Sequence, residues 1–240
     1  TADLFTTPTS EPTLFNLSTY PTYKDIPHTY TTIQTIEELK DVVNTLLQEP
    51  LIAFDTETTG LEIDCQLLGI SLVSQLKKGF FILIPQNEEL KKQFIETIKP
   101  LFENETIEKV AHNIKFDKNV LLNYGIQVKG KTFDTLLAHY LIDPESRHKL
   151  DILSEKYLEY TMIDFETVFG KNTKPPFSTE KINLELLTEY AVEDADITLQ
   201  LAEVFEPMLN EVDAVKLANE IENPLVYVLA DIEKEGVQID

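Results

Sequence analysis

The chain has 240 residues, 42% of them hydrophobic and 26% charged, which is ordinary for a globular protein with one sizeable core and some extra pieces. No apolar run approaches the ~20 residues that span a bilayer, the N-terminus lacks the basic start and apolar core of a secretory signal, and the single Cys65 excludes an internal disulfide and a cysteine-cluster metal site. The net charge of −22, from 42 acids against 20 bases, counts against a wide duplex-binding surface, but not against a small site where divalent cations sit between carboxylate and phosphate.

Residues 1–27 are rich in Thr and Pro (Pro8, Pro12, Pro21, Pro27) and predict a linker or extended arm. "TYTTIQT" predicts an edge strand. "TIEELKDVVNTLLQE" predicts a helix, because Thr35 as N-cap and Glu38 three residues on form a capping box. Its Leu39, Val42, Val43, Leu46 and Leu47 fall at helical spacing. In "LIAFDTETTG", apolar Leu51 to Phe54 run straight into Asp55-Thr56-Glu57, as in a strand buried on both faces. Asp55 and Glu57 alternate with Thr56, so on a strand they share a side. Two like charges there repel and are costly to desolvate, so something must offset them.

"LLGISLVS" and "GFFILIP" predict two more strands, with Lys77, Lys78 and Gly79 as the turn. "EELKKQFIETIKPLF" predicts a helix and "KVAHN" a short strand. "IKFDKNVLLNYG" predicts a helix closed by Gly125. The segments "DTLLAHYLI", "DILSEKYL" and "LELLTEYAVEDADITLQLAEVFEPMLNEV" read as helices. Several strands followed by a mostly helical half predict an α/β domain with a mixed sheet.

The late helix is the most informative piece. Leu187, Tyr190, Ala191, Asp194, Ile197, Thr198 and Leu201 share one face, on which Asp194 is the lone charge. The opposite stripe, Glu189, Glu193, Asp196, Gln200 and Glu203, is expected to face water. Asp194 thus points toward the core and needs a partner, with Tyr190 one turn before it. In "AHNIKFD", Asn113 is a candidate N-cap, which leaves Asp117 in the first turns of a helix whose dipole favours an acid. Asp55, Glu57, Asp117 and Asp194 form a set of carboxylates without bases to pair them, as hard divalent cations require.

"FDTETTG", "HNIKFD" and "YAVED" match, in order and spacing, the DxE, NxxxD and YxxxD motifs of the DnaQ-like (DEDD) exonuclease superfamily, tyrosine subclass. "FDTLLAHYLIDPESRHKLDILSEKYL" resembles the proofreading domain of bacterial DNA polymerase I, and "IENPLVYVLADIEKEGVQID" resembles the helix that opens the polymerase domain of that family. The resemblance covers residues 30–240. It implies a ribonuclease H-like fold, with a mixed five-stranded central sheet flanked by helices, that removes nucleotides from a DNA 3′ end. The implied division is a linker or arm over 1–27, a 3′-5′ exonuclease domain over 28–205 and the start of a polymerase domain over 206–240. The chain opens without Met and stops just past that junction, which reads as a fragment.

The same resemblance implies two divalent metal ions, Mg²⁺ or Mn²⁺ with Zn²⁺ as a further option. It puts Asp55, Glu57 and Asp194 on one ion, Asp55 also on the second, and Asp117 on the second largely through water. Tyr190 would orient the attacking water or hydroxide. Thr58, Leu61, Asn113 and Phe177 match positions that touch the terminal nucleotides, with Leu61 and Phe177 wedging and stacking unpaired bases. The implied partners are a single-stranded or frayed DNA 3′ end and a polymerase domain in the same full-length chain. The implied setting is the bacterial cytoplasm near the nucleoid, away from membranes, with the fragment monomeric. All four carboxylates are kept, which favours an active nuclease over a vestigial one.

Taken singly, most of these residues have plain structural readings. Asp55 and Glu57 would be strand-end acids, Asp117 a helix-dipole acid and Tyr190 a core residue bonded through its hydroxyl. Asp194 resists such a reading, and the four acids together point to function. Asp134 reads as an N-cap. His112 either touches substrate or ends a strand, and Arg147 with Lys149 forms a small basic spot that meets strand phosphates or water. His28, His139 and His148 show no ligand spacing. Three rivals stand beside the proofreading exonuclease. A ribonuclease D-type RNA-trimming enzyme lacks the polymerase-like C-terminus. An aspartyl-phosphate phosphatase needs a second Asp where Glu57 stands. A non-catalytic DNA-end-binding module would tolerate loss of the carboxylates.

Overall fold

A computed structural model of the chain describes residues 20–179 and 182–236. Residues 1–19 of the expected arm, with Pro8 and Pro12, and residues 237–240 at the expected polymerase junction lie outside the described residues. The elements run β1 (Thr29–Ile33), α1 (Ile36–Leu46), β2 (Leu51–Thr58), β3 (Leu67–Gln75), β4 (Lys78–Leu83), α2 (Glu88–Glu103), β5 (Glu108–Ala111), α3 (Ile114–Asn123), β6 (Thr132–Asp134) and α4 (Thr135–Ile142). Next come α5 (Leu150–Leu153), continued by a π turn (Ser154–Leu158), then α6 (Phe165–Phe169) and the long α7 (Leu184–Glu211). The last pieces are α8 (Val215–Leu217), a second π turn (Ala218–Glu222) and α9 (Asn223–Glu235).

The strands form one mixed sheet in the order β1-β4-β3-β2-β5-β6. β2, β3 and β4 are antiparallel neighbours, while β1 joins β4, β5 joins β2 and β6 joins β5 in parallel. The count is six rather than five, because Thr132–Asp134 adds a strand too short to carry an alternation in sequence. The β3–β4 turn lies at Leu76 and Lys77, ahead of its expected place, and Lys78 and Gly79 already belong to β4. Lys77 adopts a left-handed φ of 63°, held by its N–H donating to Asp196 Oδ1 at 2.8 Å.

Each face of the sheet has its own core. On one face Ile52, Phe54, Ile70 and Leu72 pack with Leu39, Phe94, Ile98 and Phe102 of α1 and α2, the Phe54 and Phe102 rings meeting edge-on at 5.0 Å. On the other, Ala53, Val73, Phe81 and Val110 pack with Leu187, Ala191, Val192 and Ala195 of α7. Each fully buried large apolar side chain contributes roughly 1.5–3 kcal/mol. Gly79 sets how near α7 approaches the sheet: a Cβ there would lie 2.4 Å from Val192 Cγ1. That close seating carries the next turns of α7 over the end of β2.

The capping box at Thr35 forms as read, and Asn87 and Asn183 cap α2 and α7 through their side chains. The water-facing stripe on α7 is a correction. Glu193 and Asp196 are 1% and 2% exposed, and of the five residues only Glu203 is exposed. Asp196 accepts from the Tyr30 hydroxyl and the Lys77 amide, Glu193 from the Tyr160 hydroxyl and the Ile163 amide, and Glu189 pairs with His28. These partners come from β1, the β3–β4 turn and the segment before α6. Helical periodicity within α7 carries no information about them. The described end of the expected arm also packs on the domain, with Tyr23 and Ile26 against the α7-side core and Thr161 N donating to Pro21 O at 3.0 Å.

Candidate active site

Alternation along β2 sends Ile52 and Phe54 to the α1–α2 side and Ala53, Asp55 and Glu57 to the α7 side. There Asp194 meets them: one carboxylate oxygen from each of Asp55, Glu57 and Asp194 lies within 4.8 Å of the others. Asp117 arrives from α3. The pairing of β2 with β5 stops at Ala53↔Val110, which leaves the outer edge of β2 open beyond it. Asp117 Oδ1 fills that edge, accepting from Thr56 N at 3.1 Å and Thr56 Oγ1 at 2.5 Å. The sequence thus uses Thr56, between the two acids of β2, to hold the fourth.

The electrostatics of the cluster are unfavourable as it stands. Burial pushes Asp55 up to about 7, and burial followed by the charge of Asp55 pushes Glu57 up to about 8. Asp194 is raised by burial, then by Asp55 and Glu57; Asp117 is raised by burial and Asp55 against the lowering bonds of Thr56. Among the described residues, no ion pair from Lys, Arg or His reaches any of the four. An oxygen-only donor set, Glu57 and Asp117 buried and Asp55 and Asp194 half-buried, that lacks a counter-charge fits hard divalent cations. Tyr190, one turn before Asp194, is raised by burial and then by Asp194, Glu57 and Asp55, so its phenol stays protonated.

The family model of the 3′-5′ exonuclease matches residues 30–210. The chain belongs to that family. It is 36% identical over 234 residues to DNA polymerase I of Borreliella burgdorferi, which covers 96% of this chain and 25% of that protein. It is 34% identical over 206 residues to DNA polymerase I of Pseudomonas aeruginosa, covering 81% and 22%. The chain therefore spans about a quarter of the length of these curated relatives. Among solved structures, the polymerase domain of Pol1 from M. smegmatis in complex with DNA primer-template and dNTP aligns with a TM-score of 0.69 at 19% identity, over 88% of this chain and 33% of that one. Escherichia coli RNase D, an exoribonuclease involved in structured RNA processing, gives 0.69 at 18% identity, over 85% and 51%. The fold is ribonuclease H-like, as the motifs implied. The family is divalent-metal dependent, in keeping with the acidic cluster.

The expected substrate residues sit at the end of β2 and on the loops that follow it and precede α3, α5 and α7. Leu61 is 82% exposed on the loop after β2. Asn113 stands at the N-cap position of α3 in a left-handed conformation (φ 67°), but its side chain does not cap the helix. Asp134 takes that task, accepting from Asn113 N and Ile114 N as well as from Leu136 N and Leu137 N of its own helix α4. The Asn113 side chain is thereby left to the surface. Thr58 Oγ1 donates to Gly60 O at 2.7 Å and shapes the turn. His112 Nδ1 lies 2.9 Å from Thr135 Oγ1, and burial lowers it to about 4, so it brings no positive charge. Arg147 is exposed on the segment before α5, two residues of which line the cleft beside Asp194.

That cleft, about 440 Å³, is lined by Met162, Ile163, Phe165, Tyr190 and Asp194 among others. Phe165 lines this cleft and is not among the expected site residues. Phe177, the expected stacking residue, is tied to the end of β2 by its N–H donating to Thr59 O at 2.7 Å, and its ring packs on Phe165 at 5.1 Å. Phe177 therefore supports the cleft residue. The signal for Phe165 was present: Asp164 caps a short helix, "FETVF", that Gly170 ends at φ 88°.

Proposed function

We propose that this domain shortens DNA from the 3′ end, one nucleoside 5′-monophosphate at a time, as the proofreading module of a family A DNA polymerase. The observation that carries the reading is the meeting of Asp55, Glu57 and Asp194 within 4.8 Å, Glu57 buried and the other two half-buried, without a cationic partner among the described residues. The identity to DNA polymerase I of two bacteria supports DNA over RNA, whereas the likeness to RNase D is one of fold. Residues 28–205 would form the nuclease unit and 206–240 the entry to a polymerase domain, with α7 running unbroken across that boundary. The setting would be the bacterial cytoplasm, near the nucleoid; no described helix is long and apolar enough to cross a membrane.

Two divalent cations, Mg²⁺ or Mn²⁺, fit the donor set. When bound they supply charge neutralisation at the phosphate and acidified water. Asp55, Glu57 and Asp194 would hold them, with Asp117, held in place by Thr56, completing the set. The protonated Tyr190 phenol would orient the attacking water by hydrogen bond from its place in the cleft beside Asp194. Phe165 stacks on the terminal base and Leu61 wedges the next from its neighbour, which selects single-stranded or frayed ends. The test is digestion of 5′-labelled single strands of DNA and of RNA of one sequence, with Mn²⁺ or EDTA. A Mn²⁺-dependent ladder from the 3′ end of DNA supports the reading. Faster digestion of the RNA would overturn its substrate class.

A further inference from the structure

The wall of the cleft is an irregular segment, residues 159–164, between the π turn and α6. Backbone without helix or sheet ladders keeps one shape only through bonds to its surroundings. Here Ser154 Oγ donates to Tyr160 O at 2.9 Å. The larger anchor is Glu193, whose Oε1 accepts from the Tyr160 hydroxyl at 2.5 Å and whose Oε2 accepts from Ile163 N at 2.7 Å. Glu193 is 1% exposed and directly precedes Asp194 on α7. Consecutive helical residues point about 100° apart, so one turn of helix presents an acid to the cleft and an acid to its wall.

The wall passes this anchoring on. Past Ile163, Asp164 caps α6 through Thr167 N and Thr167 Oγ1 at 2.9 and 2.7 Å. That cap starts the helix on Phe165, whose ring stacks on Phe169 at 4.4 Å, and Phe169 meets Tyr190 edge-on at 6.2 Å. A buried acid beside Glu189 and Asp194 is electrostatically costly. An apolar residue would fill the space without that cost, but it could not fix two donors of the wall together.

We propose that Glu193 is a positioning residue: from the flank of α7 it fixes the Tyr160–Phe165 wall against the catalytic acids, and so sets how tightly the terminal nucleotide is held. This rests on the exonuclease reading of the cleft. The residue acts through Tyr160, Ile163 and Phe165 and touches no reacting atom. Its loss should therefore weaken strand binding and spare the chemistry at the acids.

The experiment compares the parent with Glu193→Ala, Glu193→Gln and Tyr160→Phe in three readouts. These are KM for a single-stranded oligothymidylate, its Kd by fluorescence anisotropy in EDTA, and kcat at saturation with the p-nitrophenyl ester of thymidine 5′-phosphate, which reports the chemistry at the acids apart from binding. Loss of two charge-assisted bonds should raise KM and Kd about tenfold or more in Glu193→Ala, with kcat on the ester within about threefold. Glu193→Gln keeps an oxygen for Ile163 N and should recover most of the loss, and Tyr160→Phe should show a smaller rise, about two- to fivefold. A folded Glu193→Ala with a lower Tm but parental KM and Kd would reduce the residue to a staple and overturn the proposal. An equal loss on the ester would also overturn it, placing the effect at the acids. If Glu193→Ala does not fold, parental KM and Kd in Tyr160→Phe overturn it. A parent that neither binds the strand nor cuts either substrate would instead defeat the exonuclease reading, and the proposal with it.

Discussion

Glu57→Gln should make the metal-free domain more stable at pH 8, although it removes a residue from the site. Glu57 is 8% exposed, and burial followed by Asp55 lifts its pKa from 4.5 to about 8. A carboxyl with a raised folded-state pKa adds nothing below its unfolded value, because both states are then protonated. Above that value the unfolded chain releases its proton first, so stability falls with each pH unit up to the folded pKa. At about 1.4 kcal/mol per pH unit, the span from 4.5 to about 8 amounts to roughly 4–5 kcal/mol. The amide removes the charge but leaves a buried polar group imperfectly bonded, which costs about 1–3 kcal/mol. The net is a gain of about 2 kcal/mol at pH 8, or about 4–8 °C in Tm for a chain of this size, and a loss of about 1–3 kcal/mol at pH 4.5, where the ionisation penalty is absent and the amide cost remains.

The assay is thermal unfolding of parent and variant at pH 4.5 and 8, in EDTA and in Mn²⁺. The variant should melt higher than the parent in EDTA at pH 8 and lower than it at pH 4.5. Mn²⁺ should raise the parent's Tm at pH 8, where the acids are free to ionise, and raise the variant's far less. A variant that melts lower than the parent in EDTA at pH 8 would refute the reasoning, because Glu57 would then be stabilising as it stands.

Three further outcomes follow from single contacts. Thr56→Val removes the hydroxyl bond to Asp117 and leaves the amide bond, so kcat should fall about tenfold while Thr56→Ser stays near the parent, as steady-state digestion will show. Phe165→Ala should raise KM for a single strand by about 1–3 kcal/mol of lost stacking, with Phe177→Ala weaker because it acts through the Phe165 ring; parity of the two would contradict the assignment. Asp134→Ala strips acceptors from four amides at the starts of α3 and α4 and should cost about 2–3 kcal/mol in urea unfolding, more than an ordinary N-cap.

What the sequence discloses is local. The capping box at Thr35 needs only neighbours in the chain, and it forms. The alternation Asp55-Thr56-Glu57 needs only the period of a strand, and it puts both acids beside Asp194. The failures are contacts between distant segments. Glu193 and Asp196 were expected in water because no pattern within α7 reveals Tyr160 or Tyr30 as donors, 33 and 166 residues away. Asn113 was expected to cap α3, yet Asp134 reaches across from the end of β6 to do so. That Phe177 packs on the Phe165 ring depends on how the Pro-rich stretch before it folds back to Thr59, which no local pattern reveals.

The acids gathered around β2 and α7 should cut nucleotides from a 3′ end with divalent metal. The most direct measurement is digestion of a 5′-labelled single-stranded DNA by parent and Asp194→Ala, in Mg²⁺, Mn²⁺ and EDTA. The expected result is a ladder that shortens from the 3′ end in either metal and is abolished by EDTA and by the substitution. A ladder of equal strength from folded Asp194→Ala, or one that persists in EDTA, would contradict it.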